Sequence, residues 1–419
     1  MYQQAALRSL SILILSLSRG KLMKKIVSTG VATLAAFLSL AAQANEDIQI
    51  SGFGSLVGGV ILDGDGYFAR MPDAAGQYSD GFEFKTESRV GVQANYHIKS
   101  DLNLTGQVMI RGANDFDPEL EWLYLTYDLT PNTFLKIGQM RLPVFHYSDY
   151  MDVGVAFPWL RIPTDAYSLA FTNYQGANLD INFDFGEVTS QLRVYAGQED
   201  TDPNKLITAI EQYKTEQRYN DRGVFQGVRG IRTTKDYRDL IGVVLDNQMG
   251  NWGLRLSYLD GREKFTFYDE GGYPSQPLFG GEWVDTQFFD VSLQYDNGDV
   301  LVKGEWNDYD NIYTSWFVTL AYRFDKWTPY VFYSNFEGVF RFIAPGGIRN
   351  GFEDSETGSL DDDYNSVGVG ARYDLTATTA LKFELLTFND EGDAAVYIDK
   401  DRDGDTDSTS LFVALDFSF

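Results

Sequence analysis

The side chains that carry most enzymatic chemistry are scarce in this sequence. It contains no cysteine and only two histidines, His97 and His146. The absence of cysteine excludes thiol nucleophiles and disulfides, and two isolated histidines leave little room for His-ligated metals or His-based acid–base catalysis. No serine nucleophile motif lies near either histidine. The sequence therefore predicts no catalytic residues and no enzyme.

One acidic segment has a spacing that suits a hard cation. Its candidate ligands are Asp399, Asp401, Asp403 and Asp405. The pattern D-x-D-x-D-G is the first half of a calcium loop, in which alternate carboxylates converge on the ion. The closing glutamate is missing, because Ser410 stands at the twelfth position, and no flanking helices are evident. A weak Ca²⁺ site and a solvated acidic loop tip both remain open, and no other cofactor is predicted.

The N-terminal segment has the features of an export signal. Residues 23–25 are Met-Lys-Lys, residues 26–40 are apolar and rich in small residues, and residues 42–44 form an A-x-A cleavage site. The apolar stretch is shorter than the roughly 20 residues that a membrane-spanning helix needs. We expect residues 23–44 to be a cleaved signal peptide and 45–419 to be a single mature domain. Residues 1–22 are interpreted as an extension from a mis-assigned start codon, with a longer signal peptide as the alternative.

The mature chain is strongly acidic. Removing the five basic residues of the first 44, which contain no acid, takes the net charge from −26 to −31. Binding to nucleic acid through phosphates needs a positive surface, so nucleic acid is not an expected partner.

The rest of the chain consists of short segments that alternate in polarity. In the last one, Leu411, Val413, Leu415, Phe417 and Phe419 share one face, opposite mainly small or polar residues. This alternation is expected of strands whose faces meet different environments. We place sixteen such strands at residues 48–62, 84–97, 102–113, 119–129, 133–144, 176–185, 188–197, 239–248, 252–262, 287–296, 300–309, 315–324, 327–336, 364–375, 380–389 and 408–419.

The connections between these strands alternate in length. One set is very short, as at 186–187 and 325–326, and the other is mostly long, as at 145–175 and 198–238. A soluble β-sandwich has no reason to sort loops in this way, whereas an outer-membrane barrel has short periplasmic turns and long extracellular loops. The predicted fold is therefore an all-β transmembrane antiparallel β-barrel of about 16 strands. A barrel of that width is too wide for side chains to fill and holds water.

Three features resemble known outer-membrane proteins. The terminal Phe419 resembles the C-terminal signal that the barrel-assembly machinery reads. The third long loop, 145–175, is rich in aromatic residues that favour burial, as in the Gram-negative porins, whose third loop folds into the pore. Its preceding stretch Gly138-Gln139-Met140-Arg141-Leu142-Pro143 is locally similar to the phosphate-selective porin group.

The porin resemblance implies a function and a site. It implies a water-filled channel in the bacterial outer membrane for passive diffusion of small hydrophilic solutes and ions, a homotrimer, and contact with membrane lipid and lipopolysaccharide. It also implies a constriction in which an acidic loop faces basic wall residues, so that a transverse field sorts solutes. The candidate constriction residues are Asp149, Asp152, Asp165, Arg141 and Arg161 on or beside the loop, and Arg89, Arg111, Arg193, Arg255, Arg323 and Arg372 on the strands.

Other functions within the barrel class remain open. A substrate-selective channel for anions, organic acids or sugars is the main alternative, and a structural or adhesin barrel is a more distant one. The loop has no concentrated Lys/Arg cluster, so phosphate selectivity is not carried over from the resemblance.

Overall fold

The computed structural model describes most of the chain after residue 46. The described residues are 47–64, 67–71, 74–78, 81–163, 166–167, 171–200, 231–269, 277–280, 282–310, 312–343, 357–390 and 407–419. No helix among them is long and apolar enough to cross a membrane.

Sixteen antiparallel strands form one closed barrel. They are β1 (Ile48–Gly64), β2 (Arg89–Lys99), β3 (Leu102–Arg111), β4 (Pro118–Thr130), β5 (Thr133–Arg141), β6 (Asn173–Phe185), β7 (Val188–Asp200), β8 (Ile231–Met249), β9 (Trp252–Asp269), β10 (Val284–Asp296), β11 (Val300–Tyr309), β12 (Tyr313–Tyr322), β13 (Trp327–Ile343), β14 (Thr357–Thr376), β15 (Thr379–Asp390) and β16 (Ser408–Ser418). Each strand pairs with its sequence neighbours, and β16 pairs with β1 to close the ring. The predicted fold class is confirmed.

The predicted alternation separates the two faces of the wall. In β12, Ser315, Phe317 and Thr319 point inward and are buried, whereas Trp316 and Val318 between them point outward and are exposed. Such a wall presents apolar side chains to lipid, and the ladder gives each strand a partner on both sides, so that no sheet edge is left open.

Some strands run further than the sequence pattern indicates. β8 begins at Ile231 instead of residue 239, and β9 ends at Asp269 instead of residue 262. These two strands pair with each other along the added length, from Ile231 opposite Asp269 to Arg238 opposite Arg262. Beyond the lipid layer the outward side chains need not be apolar, so the sequence of the added segment lacks the alternation in polarity that identifies a strand. A hairpin of Tyr67–Met71 with Ala74–Tyr78 and a short strand, Pro277–Gly280, lie in two of the loops.

The C-terminal residue closes the seam between β16 and β1. The backbone amide of Phe419 donates to the carbonyl of Gly52, and the Gly52 amide donates to the Phe419 carbonyl, each at 2.9 Å. The Phe419 ring covers Gly52 so closely that a Cβ there would lie 2.3 Å from the ring. Glycine at this position therefore allows the ring to lie directly over the backbone of β1.

The loop between β5 and β6 lies inside the barrel, as the sequence predicts. This loop, residues 142–172 and here called loop 3, contains two single turns of 3-10 helix, Ser148–Tyr150 and Gly154–Ala156. Its apolar side chains, Trp159 and Phe157 among them, are buried in one cluster with inward-facing wall residues such as Phe317. Burial of this apolar surface favours the folded-in position.

Candidate pore constriction

The Gly138-Gln139 pair shapes the strand that leads into loop 3. Gly138 has a φ of +143°, and a Cβ there would lie 2.2 Å from the Leu123 carbonyl oxygen. The β4–β5 ladder stops at Leu123 and Gln139, next to a bulge in β4 at Glu121. The Gln139 side-chain amide donates to the carbonyls of Leu120 and Glu121 at 2.9 and 3.1 Å. The motif thus supplies a donor to two carbonyls at the bulge.

Asp152 of loop 3 lies where three wall arginines converge. Its Oδ2 accepts from Arg141 at 2.8 Å and from Arg111 at 3.0 Å, and its main-chain carbonyl accepts from Arg89 at 3.0 Å. All three guanidinium groups are buried. Burial raises the pKa of Asp152, but Arg111, Arg141 and Arg89 outweigh it and hold the pKa well below its usual range. We call Asp152 and these arginines the Asp152 clamp.

Wall carboxylates lie beside the Asp152 clamp. Glu121 accepts from Arg111 at 2.9 Å and pairs with Arg141 at 3.1 Å, and Glu119 accepts from Arg111 at 3.3 Å. The positive charges of these arginines are therefore balanced by carboxylates of the wall as well as by the carboxylate of the loop.

Asp149 is the other acidic residue of loop 3 that the sequence singled out. It accepts from Arg193 of β7 at 3.1 Å, and Arg193 also donates to Asp180 at 2.8 Å. Enclosure in the lumen raises the pKa of Asp149, but Arg193 and Arg255 outweigh this effect and lower the pKa. Asp149 is ionised at neutral pH and lies against Arg193 on the wall.

Basic wall residues also bind main-chain carbonyls of loop 3. Arg255 donates to the Pro143 carbonyl at 2.6 Å, and Arg372 donates to the carbonyls of Val155 and Phe157 at 2.8 and 3.0 Å. Lys382 donates to the carbonyls of Gly154 and Trp159 at 2.6 and 2.7 Å. Alternation along β15 predicts that Lys382 points inward, but nothing in its local sequence indicates contact with the loop.

Glu305 of β11 fixes the first turn of the loop. Its carboxylate accepts from the His146 backbone amide at 2.9 Å and from the Tyr167 hydroxyl at 2.9 and 3.0 Å. The His146 ring contacts the Ser292 hydroxyl at 3.0 Å. Burial, together with Lys303 and Arg255, lowers the pKa of His146 to about 2, so the ring is neutral at physiological pH.

Arg161 occupies the far side of the loop. Its Nε lies 3.0 Å from Glu87 and its Nη2 lies 3.8 Å from Glu384, and its guanidinium stacks over the Phe412 ring at 3.7 Å. Arg161 is therefore buried against β15 and β16.

An arc of aromatic side chains on the inner wall is not evident from the sequence. Inward-facing rings on six successive strands contact one another with centroids 4.6–6.0 Å apart. They are Phe288, Tyr309, Tyr313, Phe336, Tyr364 and Phe388. The ring of Phe145 packs edge-on against Phe288 at 5.2 Å, which joins the arc to loop 3. The alternation along each strand predicts that its ring points inward. The height of each ring along the barrel axis, however, depends on the register between strands.

The remaining candidate residues lie elsewhere. Arg323 pairs with Asp296 at 2.7 Å beside a short turn, away from loop 3. Asp165 and the aspartates at 399, 401, 403 and 405 fall outside the described residues. In the part of the chain that the structure describes, no three His, Cys, Asp or Glu side chains are grouped to hold a metal.

Comparison with known protein families shows which family the chain belongs to. The family model described as Gram-negative porin matches residues 30–393. The chain belongs to the Gram-negative porin family. Among curated proteins, none matches its sequence.

Solved structures of outer-membrane channels share the barrel of this porin. The channel DcaP of Acinetobacter baumannii superposes with a TM-score of 0.51 at 11% identity, over 90% of this chain and 99% of that one. OmpF of Salmonella typhi, solved with daunomycin, superposes with a TM-score of 0.50 at 14% identity, over 89% and 97%. At such identities the likeness concerns the fold. The family and the shared fold together identify this porin as an outer-membrane channel for passive diffusion.

Three ion pairs of the porin's lumen present their acidic partners to water. The side chain of Asp149 is 49% exposed against 9% for Arg193, and Asp246 is 34% exposed against 7% for Arg255. On β14, Asp374 is 40% exposed and its partner Arg372 is 16% exposed. A permeating ion in these parts of the lumen meets carboxylates more closely than guanidinium groups.

Proposed function

We propose that this porin conducts small hydrophilic solutes and ions by passive diffusion, that loop 3 limits their size, and that the channel prefers cations. The proposal depends mainly on the orientation of the Asp149–Arg193 and Asp246–Arg255 pairs. At long distance the two charges of each pair nearly cancel. A solute at short distance interacts most strongly with the nearer charge, which is the carboxylate. The acidic net charge of the whole chain adds a negative field in the same direction.

Reversal potentials in planar bilayers under a KCl gradient test this preference. Wild-type protein is expected to give a reversal potential whose sign indicates a higher permeability to K⁺ than to Cl⁻. Asp149→Asn should lower the permeability ratio about two- to fivefold, because a unit charge about 4 Å away in water contributes about 1 kcal/mol before screening.

A matched control removes the same charge from the outer face. Asp260 is exposed on β9 between inward-facing residues, so Asp260→Asn should leave the permeability ratio unchanged. An anion preference in the wild type, or equal shifts in both variants, would contradict the proposal.

The main alternative, a channel selective for anions or organic acids, has less support. Such a channel needs guanidinium or ammonium groups that face the passage. Arg89, Arg111 and Arg141 are instead buried against carboxylates. We also propose that the protein has no catalytic activity, since its fold and family are those of a channel. A structural or adhesin role has no specific observation in its favour.

We further propose that the barrel functions as a homotrimer in contact with lipid and lipopolysaccharide, and that Phe419 serves as the assembly signal. A groove of about 640 Å³ on the outer face of β4–β6 supports self-association. Its lining combines the large apolar residues Leu120, Leu123 and Ile137 with small residues, including Gly176 and Ala177, and with Gln175. An amide on a membrane-facing surface is better satisfied by protein than by acyl chains.

Native electrophoresis in mild detergent tests the trimer. Ala177→Trp should convert trimers to monomers, whereas Val318→Trp on the exposed outer face of β12 should not. A wild-type barrel that runs as a monomer would contradict the trimer without affecting the channel proposal.

A further inference from the structure

Three basic side chains lie together on the outer face of β8 and β9. Arg238 lies opposite Arg262 in the β8–β9 ladder, and Lys264 lies two residues further along β9. Tyr237 and Glu263 alternate with them and are buried on the inner face, so the alternation of the strand places the basic residues on the outside. The three side chains are 40%, 41% and 26% exposed, respectively. We call Arg238, Arg262 and Lys264 the outer basic cluster.

The indole ring of Trp283 packs against two members of this cluster. The Arg238 guanidinium carbon lies 3.8 Å from the ring centroid, and Lys264 Nζ lies 4.9 Å from it. Trp283 directly precedes β10 and is partly exposed. Stacking on the indole fixes the guanidinium while the N–H groups at its edge stay available. A stacked arginine of this kind is suited to bidentate binding of a phosphate.

The aspartates beside the cluster do not use all of its donors. Lys264 pairs with Asp236 at 2.7 Å, and Arg262 pairs with Asp239. Arg238 Nε lies 3.7 Å from Asp239, too far for a hydrogen bond, and has no hydrogen-bond partner in the described part of the chain. Partly exposed ion pairs contribute little free energy. Arg238 can therefore bind a ligand without breaking a strong contact.

An aromatic belt on the outer face gives the height of the cluster. The belt runs along β9–β13 and consists of Tyr258, Phe289, Trp306, Trp316 and Tyr333. Such belts mark the boundary between the acyl chains and the headgroups. Arg262 is four residues above Tyr258 on β9, which corresponds to a height of about 10 Å at a strand tilt of about 40°. Headgroups extend about 5–8 Å beyond the acyl layer on each side, and long basic side chains can reach down to them.

The strands that follow β9 carry the opposite charge at or above this belt. Their outward-facing residues there include Asp285, Asp308, Glu337 and Asp363. Carboxylates repel a phosphate. Within the described parts of β8–β14, the outer basic cluster is therefore the place where an anionic headgroup can bind.

We propose that the outer basic cluster and Trp283 form a binding site for the phosphorylated sugar headgroup of an outer-leaflet glycolipid. Arg238 and Lys264 contact the phosphate, and the acyl chains pack below it against the exposed Ile241 and Val243 of β8. The inference rests on the contact with lipopolysaccharide proposed above, and it assigns that contact to one site. The site lies on strands other than β4–β6, so the proposed contact between subunits leaves it accessible.

Native mass spectrometry of the folded barrel in mild detergent tests the site. The barrel is titrated with lipid A that carries both phosphates and, separately, with lipid A from which both phosphates have been removed. Wild-type protein is expected to bind the phosphorylated lipid about tenfold more tightly, because hydrogen bonds from a guanidinium to a phosphate are charge-assisted. Arg238→Gln and Lys264→Gln should each remove much of this difference.

Arg323→Gln is the matched control. It removes a guanidinium of similar exposure, 36%, at the opposite end of the barrel, and should leave both affinities unchanged. Equal affinity of wild-type protein for the two lipids, or equal losses in Arg238→Gln and Arg323→Gln, would overturn the site. Displacement of lipid A by millimolar inorganic phosphate would show a site for free phosphate and would overturn its assignment to a lipid.

Bilayer recordings on the same preparations separate this site from the channel function. A barrel that conducts but shows no preference for the phosphorylated lipid would overturn the site and leave the channel proposal standing. A folded barrel that binds phosphorylated lipid A as expected but carries no current would instead overturn the proposed channel function.

Discussion

At Asp152, one loop carboxylate shares a buried site with three guanidinium groups and with the wall carboxylates of Glu119 and Glu121, and the surroundings of each charge decide its role. The porin resemblance singles out Asp149 and Asp152 on the loop, and the alternation along the strands singles out most of the contacting arginines as inward-facing charges. The sequence does not indicate that Arg89, Arg111 and Arg141 are buried, since burial depends on a loop that folds across the lumen. Their contribution is therefore mainly to the stability of loop 3.

Arg141→Gln should lower the free energy of unfolding by about 3 kcal/mol, because it leaves Asp152 and Glu121 with fewer buried partners. The measurement is urea unfolding of the refolded barrel in detergent, followed by tryptophan fluorescence. Arg323→Gln is the control, since the Arg323–Asp296 pair is partly exposed and should contribute less than about 1 kcal/mol. Equal losses in the two variants would show that the clamp does not stabilise the loop.

Conductance should vary little between pH 8 and about pH 4.5. His146, with a pKa of about 2, stays neutral over this range, and Asp149 and Asp152, whose pKa values are lowered, stay ionised. A carboxyl with a lowered folded-state pKa stabilises the fold above its unfolded pKa of about 3.9. That contribution is lost as the pH falls through the folded-state value. Single-channel recordings across this range test the expectation, and a transition near pH 6.5 would show that His146 titrates normally.

At the scale of elements, β5 shows how a short motif can serve the backbone. Gly138 and Gln139 resemble a porin motif in sequence, and their contacts explain it. The glycine permits a left-handed φ against β4, and the glutamine binds carbonyls beside a bulge. The pairing of β4 with β5 could be predicted from their alternation and short turn. The bulge at Glu121 could not, because one extra residue barely alters the pattern.

Gly138→Ala should sharply reduce refolding. A Cβ at this position meets the Leu123 carbonyl at 2.2 Å in a conformation unfavourable for alanine, at a cost of about 2–4 kcal/mol. Gly106→Ala, on the neighbouring β3, is the control because the nearest atom to its Cβ would lie 3.8 Å away. The yield of the compact, heat-modifiable band on electrophoresis reports the outcome, and similar yields from both variants would contradict the role assigned to Gly138.

At the scale of the whole molecule, two patterns were sufficient to predict the barrel: the alternation in polarity along each strand and the alternation of short and long connections between strands. Lipid imposes the two-residue period on every spanning segment, so each strand could be located from its own residues. The added lengths of β8 and β9 lie outside the lipid and lack the two-residue alternation in polarity. The predicted ends of these strands were therefore wrong. The position of loop 3 inside the barrel followed from its aromatic content. Its contacts with Lys382 and Glu305 could not be predicted in this way, because they depend on strand depth around the whole ring.

Swelling of liposomes that contain the purified barrel tests most directly the claim that loop 3 leaves a narrow, water-filled route for passive diffusion. We predict rapid swelling in the smallest uncharged sugars, a steep fall in rate as sugar size increases, and rates that rise linearly with concentration without saturation. Liposomes that fail to swell in any sugar, although the protein in them is folded, would contradict it.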